Sequence, residues 1–481
     1  MSSPLLCSTV AGPDMTALRR HRDEAAAQGA DLVELRLDLV ADPDVTAALA
    51  DRSTPVIVTC RAPWEGGQFK GSEEERLRIL TAALAQGAEY VDVEFKAGFA
   101  GALIGSNRGR RIVLSMHDFD GVPGDLPERV RAMRSAGADV VKVAVQAQSL
   151  FDNLSLLDLG DGGASRCVFV GMGPCGLPTR LLPAHFGSEW SYAGDAHAPG
   201  QISADCMIKE FRYRENTERT ALYGLVGYPL GHSLSPAMHN AAFRAAGVDA
   251  VYVPLPAANA DDFLEFAKAL HVRGASVTIP YKVDLFKRVD AADQVSTQVG
   301  AVNTLKRRQT KWLGRNTDVS GFLAPLRGRH QLRGMRAAVL GAGGAARGVA
   351  VALSTSGAEV SVYARNPDRA AEVSKLVNRK PTGRDLPPPK SWDLIVNATP
   401  IGTFPDLGAS PMPAEAFDGR IAYDLVYNPA ETQFLKDAAA AGCETIGGLD
   451  MLVAQAEDQS EWWIGRRPPA GLMREAAMAR L

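Results

Sequence analysis

Cysteine is scarce in this chain, and what there is does not cluster. Cys7, Cys60, Cys167, Cys175, Cys206 and Cys443 are scattered with no CxxC pair. That excludes a disulfide framework and a structural zinc site, and it fits a reducing cytosol. No metal is expected. Long hydrophobic runs are also missing, since none reaches the roughly 18 residues that a membrane span needs. The opening "MSSPLLCSTVAGPD" lacks a basic stretch followed by an apolar one, so no secretory signal is expected. An excess of charge of one sign is absent too. With 52 Lys+Arg against 55 Asp+Glu the formal charge is -3, so no basic field points to nucleic acid or anionic membrane. A cytoplasmic protein acting on small molecules is expected, with protein partners and oligomeric state left open.

What is present is a long chain of ordinary globular composition. Its 481 residues, 46% hydrophobic and 22% charged, suggest two to four domains. Over the first 200 residues, apolar strands alternate with helical stretches. The strand candidates are "PLLCSTV", "DLVELRLDL", "PVIVTC", "YVDVEF", "RIVLSMH", "DVVKVAV", "CVFVGM" and "EWSYAG". Eight βα repeats predict a (β/α)8 barrel, with an open doubly wound sheet as the alternative. Glu34, Arg36, Arg61, Glu94, His117 and Lys142 then fall at the C-terminal strand ends, where a barrel builds its active site. The charged stretch "KEFRYRENTERT" reads as a linker over 209–221. Beyond it, "RAAVLGAGGAARGVAVALSTSGAEVSVYARN" is a strand, a Gly-rich turn, a helix and a strand, which is a Rossmann unit. "PTGRDLPPPKSW" reads as a surface loop, and the helical C-terminal stretch is expected to fold back onto the domain preceding the Rossmann unit.

The lysine inside "DVVKVAV" sits where a strand favours Val or Ile. One reading buries its stem in the core with the amine reaching a carboxylate. The other makes Lys142 a Schiff-base nucleophile whose apolar setting keeps the amine uncharged, ready to condense with a ketone. His117 ends the preceding strand at the same mouth, where an imidazole suits proton abstraction beside an imine. With these residues in view, the first half resembles the type I 3-dehydroquinate dehydratases. The matching stretches are "DLVELRLD", "CRAPWEGG", "SMHDF", "DVVKVAV", "GMGPCGLPTR" and "APGQ". The resemblance implies that Lys142 forms an imine with the C3 ketone and that His117 moves the proton from C2 to the departing C1 hydroxyl. It implies that Glu65 orients His117 and Arg180 clamps the substrate carboxylate. Glu34, Arg36, Arg61 and Gln201 would contact ring hydroxyls or order the mouth. His197 stands where that family usually has Ser, and Thr179 replaces another Ser.

In the second half, Ser233 and Ser235 of "GYPLGHSLSPAMHN" alternate, so an extended segment would present both hydroxyls on one side. They suit a carboxylate or polyol, or a turn leading into a helix. Lys282 follows "SVTIPY", and Asp318 of "NTD" lies at a strand-to-helix turn. After the Gly-rich turn, "YARNPDR" offers Arg365 and Arg369 where an NAD enzyme would present an acid, which predicts NADP(H). Together with "GAVNT", "NATPIG", "YDLVYNPAET" and "GGLDMLVAQA", these stretches are similar to the shikimate dehydrogenases. That resemblance implies a catalytic pair of Lys282 and Asp318. It assigns Ser233, Ser235, Thr278, Asn303, Tyr427 and Gln455 to substrate. Gly341, Ala342, Gly343, Gly344 and Ala345 would hold the cofactor's pyrophosphate, while Asn397, Thr399 and Gly448 line its site. Ser276 stands where that family often has Asn.

The expected organisation is α/β throughout. Residues 1–208 form the dehydratase barrel, and 222–323, completed by 449–481, form the shikimate-binding domain. Residues 324–448 form a Rossmann NADP-binding domain. The whole resembles the fused enzyme of the shikimate pathway in plants. The alternatives are a shikimate dehydrogenase carrying an inert or regulatory barrel, a quinate-preferring NAD dehydrogenase, and a class I aldolase barrel.

Overall fold

The computed structural model describes residues 4–160, 165–194, 202–231, 233–382 and 384–481. They divide into two compact units, Met1–Leu222 with Val253–His271, and Tyr223–Tyr252 with Val272–Leu481.

The first unit contains eight strands. They are β1 (Leu5–Val10), β2 (Leu32–Arg36), β3 (Val56–Thr59), β4 (Tyr90–Glu94), β5 (Ile112–Asp118), β6 (Val140–Gln146), β7 (Arg166–Met172) and β8 (Trp190–Ala193). Their spatial order is β7-β6-β5-β4-β3-β2-β1-β8. The gap between β7 and β8 is bridged where Cys167 meets Ser188 and the Glu189 amide donates to the Cys167 carbonyl at 2.9 Å. All eight expected strands form, and the barrel closes. Strands covered on both faces must be apolar almost throughout, which is why they read as continuous runs. Helices start where a side chain can accept from orphaned amides. Ser72 and Glu75 form a reciprocal capping box at the head of helix Glu73–Ala85. Cys7, Leu32, Ile57, Val113, Val140, Val168 and Trp190 pack together in one cluster, which also takes in Ala144 and Tyr192.

The segment expected as a linker is fastened to this unit instead. Phe211, Arg212 and Tyr213 are buried, the Tyr213 hydroxyl donates to the Leu5 carbonyl at 2.9 Å, and Arg214 pairs with Asp31. Its high charge concealed two aromatic anchors.

Two further sheets follow the barrel strands in the chain. The first has the order β10-β9-β11-β13-β14-β12, from β9 (Ala221–Gly227), β10 (Ala250–Pro256), β11 (Gly274–Val277), β12 (Ala291–Ala292), β13 (Thr304–Arg308) and β14 (Lys311–Arg315). The second has the order β16-β15-β17-β18-β19, from β15 (Arg336–Leu340), β16 (Glu359–Tyr363), β17 (Leu394–Asn397), β18 (Ile421–Asp424) and β19 (Glu444–Ile446). Its pairs are all parallel, as a Rossmann sheet requires. The C-terminal helices Gly448–Ile464 and Leu472–Met478 fold back as expected. Val453, Ala456, Met473 and Ala477 bury against Met238 and Ala242 of helix Ser235–Ala245. Among the described residues, no helix is long and apolar enough to cross a membrane.

Candidate active sites

Strand register brings polar residues to the C-terminal mouth of the barrel. Thr9 pairs with Glu34, Thr59 with Asp92, Glu94 with Ser115, and Ser115 with Lys142. His117 lies two residues past Ser115, so it shares that residue's face one layer nearer the mouth. Lys142 and His117 therefore stand at the same end, on adjacent strands.

Lys142 is buried, with Nζ 3.1 Å from Asp92 Oδ2, 3.3 Å from Glu34 Oε1 and 4.4 Å from the centre of the Tyr192 ring. The amine is ion-paired, so the expectation of an apolar setting that keeps it uncharged is corrected. Its neighbours along β6 are apolar, but the groups that face it come from β2, β4 and β8 across the barrel. Arg61 braces the same carboxylates. Its guanidinium lies 2.9 Å from Asp92 Oδ1 and 3.2 Å from Glu94 Oε1, and donates to Ser115 Oγ at 2.7 Å. Arg76 holds Glu94 from the helix side. Arg36 donates twice to Asp38, at 2.9 and 2.8 Å, and so takes its carboxylate from the short turn that follows β2 rather than from Glu34. Thr9 and Thr59 hydroxyls donate to Glu34 at 3.0 and 2.8 Å. Burial works to raise Glu34 and Asp92, yet Lys142 and Arg61 outweigh it and hold both below the usual carboxylate range.

His117 Nδ1 is 3.0 Å from Glu65 Oε2. Burial, then the charges of Arg61 and Lys142, pull the imidazole well below its ordinary value. Burial pushes Glu65 up to about 7 despite Arg61. With Glu65 ionised, Nδ1 carries the hydrogen and donates it, leaving the Nε2 lone pair free to accept a proton. Because the folded protein favours protonated Glu65, its stabilising contribution is complete below the ordinary value of 4.5 and is lost as pH rises through about 7. Glu65→Gln should therefore raise the barrel's melting temperature at pH 8 but not at pH 5. A thermal scan at both pH values checks this, and an equal shift at both would contradict it.

Arg180 is buried on helix Leu177–Leu181 and donates to the Tyr192 carbonyl at 3.4 Å. Burial lowers it to about 10, a desolvation that an anionic ligand would relieve. Gln201 and His197 lie outside the described residues.

In the second unit, Lys282 Nζ is 2.6 Å from Asp318 Oδ2. Lys282 starts a short helix after β11, and Asp318 starts helix Asp318–Leu323 after β14. Asn303 joins the parts, donating to Asp318 Oδ1 at 2.8 Å, to Thr317 at 2.9 Å and to Gln455 at 3.3 Å. Ser233 Oγ accepts from the Ser235 amide at 3.3 Å, at the head of helix Ser235–Ala245. Burial raises the Tyr427 phenol while a hydrogen bond with Ser233 works against it, which places those two together. Ser276 donates to Gln459 at 2.6 Å, and the Thr278 amide donates to the Val226 carbonyl at 2.9 Å.

The dinucleotide cradle lies next to that pair. Gly341 has φ +113, and a Cβ there would come 2.9 Å from the Ala398 carbonyl. Ala342 follows it, and Gly343 caps helix Gly344–Thr355 with open space where a Cβ would stand. The helix's first amides, with Ala345 in its first turn, are left free for phosphate oxygens. A Cβ on Gly344 would come 3.1 Å from Lys282 Cβ, so the glycine turn abuts the Lys282–Asp318 pair. Arg365 and Arg369 are exposed just past β16, the neighbour of β15, and the Asn366 side chain accepts from the Arg369 amide at 3.1 Å. A short-turned glycine loop, a helix N-terminus and two nearby guanidinium groups fit NADP. Asn397 is buried, donating to Asp424 at 2.9 Å and accepting from Thr399 Oγ1 at 2.6 Å. Gly448 is the buried first residue of helix Gly448–Ile464.

Several of these participants were not singled out from the sequence: Asp92, Ser115 and Tyr192 in the barrel, and Asp424 and Gln459 in the second unit. A signal existed for two. "YVDVEF" alternates carboxylates with valines, which aims Asp92 and Glu94 to one face, and Gln459 stands four residues after Gln455 on one helix.

Residues 6–218 match the type I 3-dehydroquinase family. Residues 225–305 match the shikimate dehydrogenase substrate binding domain, and 448–478 the shikimate 5'-dehydrogenase C-terminal domain. A bifunctional 3-dehydroquinate dehydratase/shikimate dehydrogenase, chloroplastic, of Arabidopsis thaliana is 30% identical over 501 residues, covering 97% of this chain and 83% of that protein. A shikimate dehydrogenase (NADP(+)) of Moorella thermoacetica is 42% identical over 273 residues, covering 53% of this chain and 91% of its own. The crystal structure of shikimate 5-dehydrogenase from Thermus thermophilus with NADP(H) and shikimate is 36% identical with a TM-score of 0.50, covering 54% of this chain and all of that one.

Proposed function

Since this chain belongs to the family of bifunctional 3-dehydroquinate dehydratase/shikimate dehydrogenases, we propose that Lys142 and His117 do the chemistry of the first activity and Lys282 and Asp318 that of the second. The chain is a lyase and an NADP-dependent oxidoreductase of the shikimate pathway. It dehydrates 3-dehydroquinate to 3-dehydroshikimate and reduces that product to shikimate. The observation that carries the residue assignment is the placement of Lys142 and His117 on adjacent strands at one barrel mouth, matched by a 2.6 Å Lys282–Asp318 contact beside a glycine turn.

In the dehydratase, Lys142 condenses with the ketone, and the cationic imine draws electrons from the neighbouring carbon. His117, neutral and held by Glu65 through Nδ1, takes the C2 proton at Nε2 and returns it to the leaving C1 hydroxyl. Arg180 grips the substrate carboxylate. Glu34, Arg36 and Arg61 keep the mouth in shape through the contacts described above. Gln201 is proposed to meet ring hydroxyls.

In the reductase, Ser233, Ser235 and Tyr427 bind the carboxylate end, and Thr278, Asn303 and Gln455 bind ring hydroxyls. Lys282 Nζ delivers a proton to the C3 oxygen, and Asp318 holds that ammonium in line. NADPH supplies the hydride when bound. Residues 341–345, Asn397, Thr399 and Gly448 would hold it, with Arg365 and Arg369 on its 2′-phosphate. Replacing both Arg365 and Arg369 by Gln should raise KM for NADPH about 10- to 100-fold. KM for NADH should stay unchanged, as steady-state kinetics with each cofactor will test.

The division of labour follows domains 1–208, 222–323 with 449–481, and 324–448, with 209–221 assigned to the barrel. A cytoplasmic location is supported by the scattered placing of the cysteines in the sequence, with no CxxC pair. Purified chain given 3-dehydroquinate and NADPH should oxidise the NADPH without added enzyme. Activity only with added 3-dehydroshikimate would leave the barrel inert.

A further inference from the structure

Asp92 lies below the strand-end residues of the barrel, and its carboxylate has no exposed surface. Its two oxygens have different partners. Oδ1 lies 2.9 Å from an Arg61 nitrogen and accepts from Ser115 Oγ at 2.6 Å, while Oδ2 lies 3.1 Å from Lys142 Nζ. Arg61 and Ser115 thus fix the carboxylate's orientation, and the free oxygen is aimed at the amine. Glu34, the other neighbour of Nζ, has both oxygens engaged by the hydroxyls of Thr9 and Thr59.

The charge at Nζ is the same at the two ends of imine formation. An ammonium and a ketone give a protonated imine and water. A C–N bond forms, the C=O bond breaks, and two of the three ammonium hydrogens leave with the ketone oxygen. A buried cation needs a fixed counter-ion before and after that exchange. We propose that Asp92 is the catalytic counter-ion of Lys142 throughout the covalent cycle, holding first the ammonium and then the protonated imine that serves as electron sink. The surroundings agree with this role. Burial works against ionising Asp92, and Arg61 and Lys142, the two cations in contact with it, keep it ionised. This inference rests on Lys142 being the nucleophile.

The test is Asp92→Asn in the full chain, where the reductase reports on the second unit. Dehydratase kcat should fall about a hundredfold. With 3-dehydroshikimate and borohydride, the fraction of chain carrying a reduced imine at Lys142 should fall in parallel, and reductase kcat should not change. Ser115→Ala, which removes one of the two groups that orient Oδ1 and leaves Arg61 and the charge in place, should lower dehydratase kcat about tenfold. If Asp92→Asn loses the barrel's thermal transition, the Ser115→Ala trapping decides the matter in the same way. Undiminished trapping and kcat in the folded variants overturn the counter-ion role. Absence of trapping at Lys142 in the unsubstituted chain overturns the nucleophile assignment itself.

Discussion

Lys142→Ala is expected to lower dehydration of 3-dehydroquinate by about ten-thousandfold or more while leaving reduction of 3-dehydroshikimate intact. The loss is large because the cations beside Lys142 cannot take its place. The nearby cations Arg61 and Arg180 are guanidinium groups, which stay protonated and do not form imines. The substitution has a second effect that a surface lysine would not show. It removes the ammonium from between Asp92 and Glu34 and leaves two buried carboxylates facing each other. Breaking a buried pair this way costs about 3–5 kcal/mol. The barrel of Lys142→Ala should therefore melt earlier than its parent, and the deficit should shrink as pH falls toward the carboxylates' range. Separate assays of the two activities, with a thermal scan at two pH values, check both parts. Retention of dehydratase activity would end the Schiff-base assignment.

Asp318→Asn and Lys282→Met should act on the other activity alone. Each is expected to reduce reductase kcat by about a hundred- to ten-thousandfold, the span typical of a lost proton donor. Lys282→Met should be the more severe, because it deletes the donor. Asp318→Asn keeps a side chain of the same shape but loses the charge 2.6 Å from Nζ. It also disturbs Asn303, which donates to Asp318, Thr317 and Gln455 through one nitrogen. KM for shikimate should rise in Asp318→Asn for that reason. Steady-state kinetics of both variants, with dehydratase turnover as the internal control, would show it. A change in kcat of less than tenfold in Lys282→Met would remove the lysine from the proton path.

Much of this was legible in the sequence because the fold is built from local patterns. Eight apolar runs separated by amphipathic helices give the barrel directly, and strand ends give its mouth. Lys142 stood out because one charge interrupts an apolar run, and His117 because it ends the adjacent strand. What surrounds Lys142 was not legible, because periodicity shows only a residue's neighbours on its own strand. Asp92 and Glu34 sit 50 and 108 residues away in the chain and reach Nζ only through barrel closure. The same holds for Asp424, a buried carboxylate that burial pushes up to about 6 and that fixes Asn397 across two strands. Arg36 is the local counterpart. Its partner two residues on was in plain view, but a strand end predicts Glu34 and Asp38 equally well as partners.

The anchoring of residues 211–214 bears on how the two activities can be separated. Anyone excising the dehydratase as a fragment would naturally cut near 208, where the barrel helices end. Such a cut discards Tyr213, whose hydroxyl holds the Leu5 carbonyl, and Arg214, which holds Asp31, so the first strand would be free to fray. A cut after Thr220, itself buried, keeps those anchors but still gives up Val253–His271, whose Asp262 accepts from the Leu150 and Phe151 amides, and a fragment ending near 208 should be recovered mainly as aggregate.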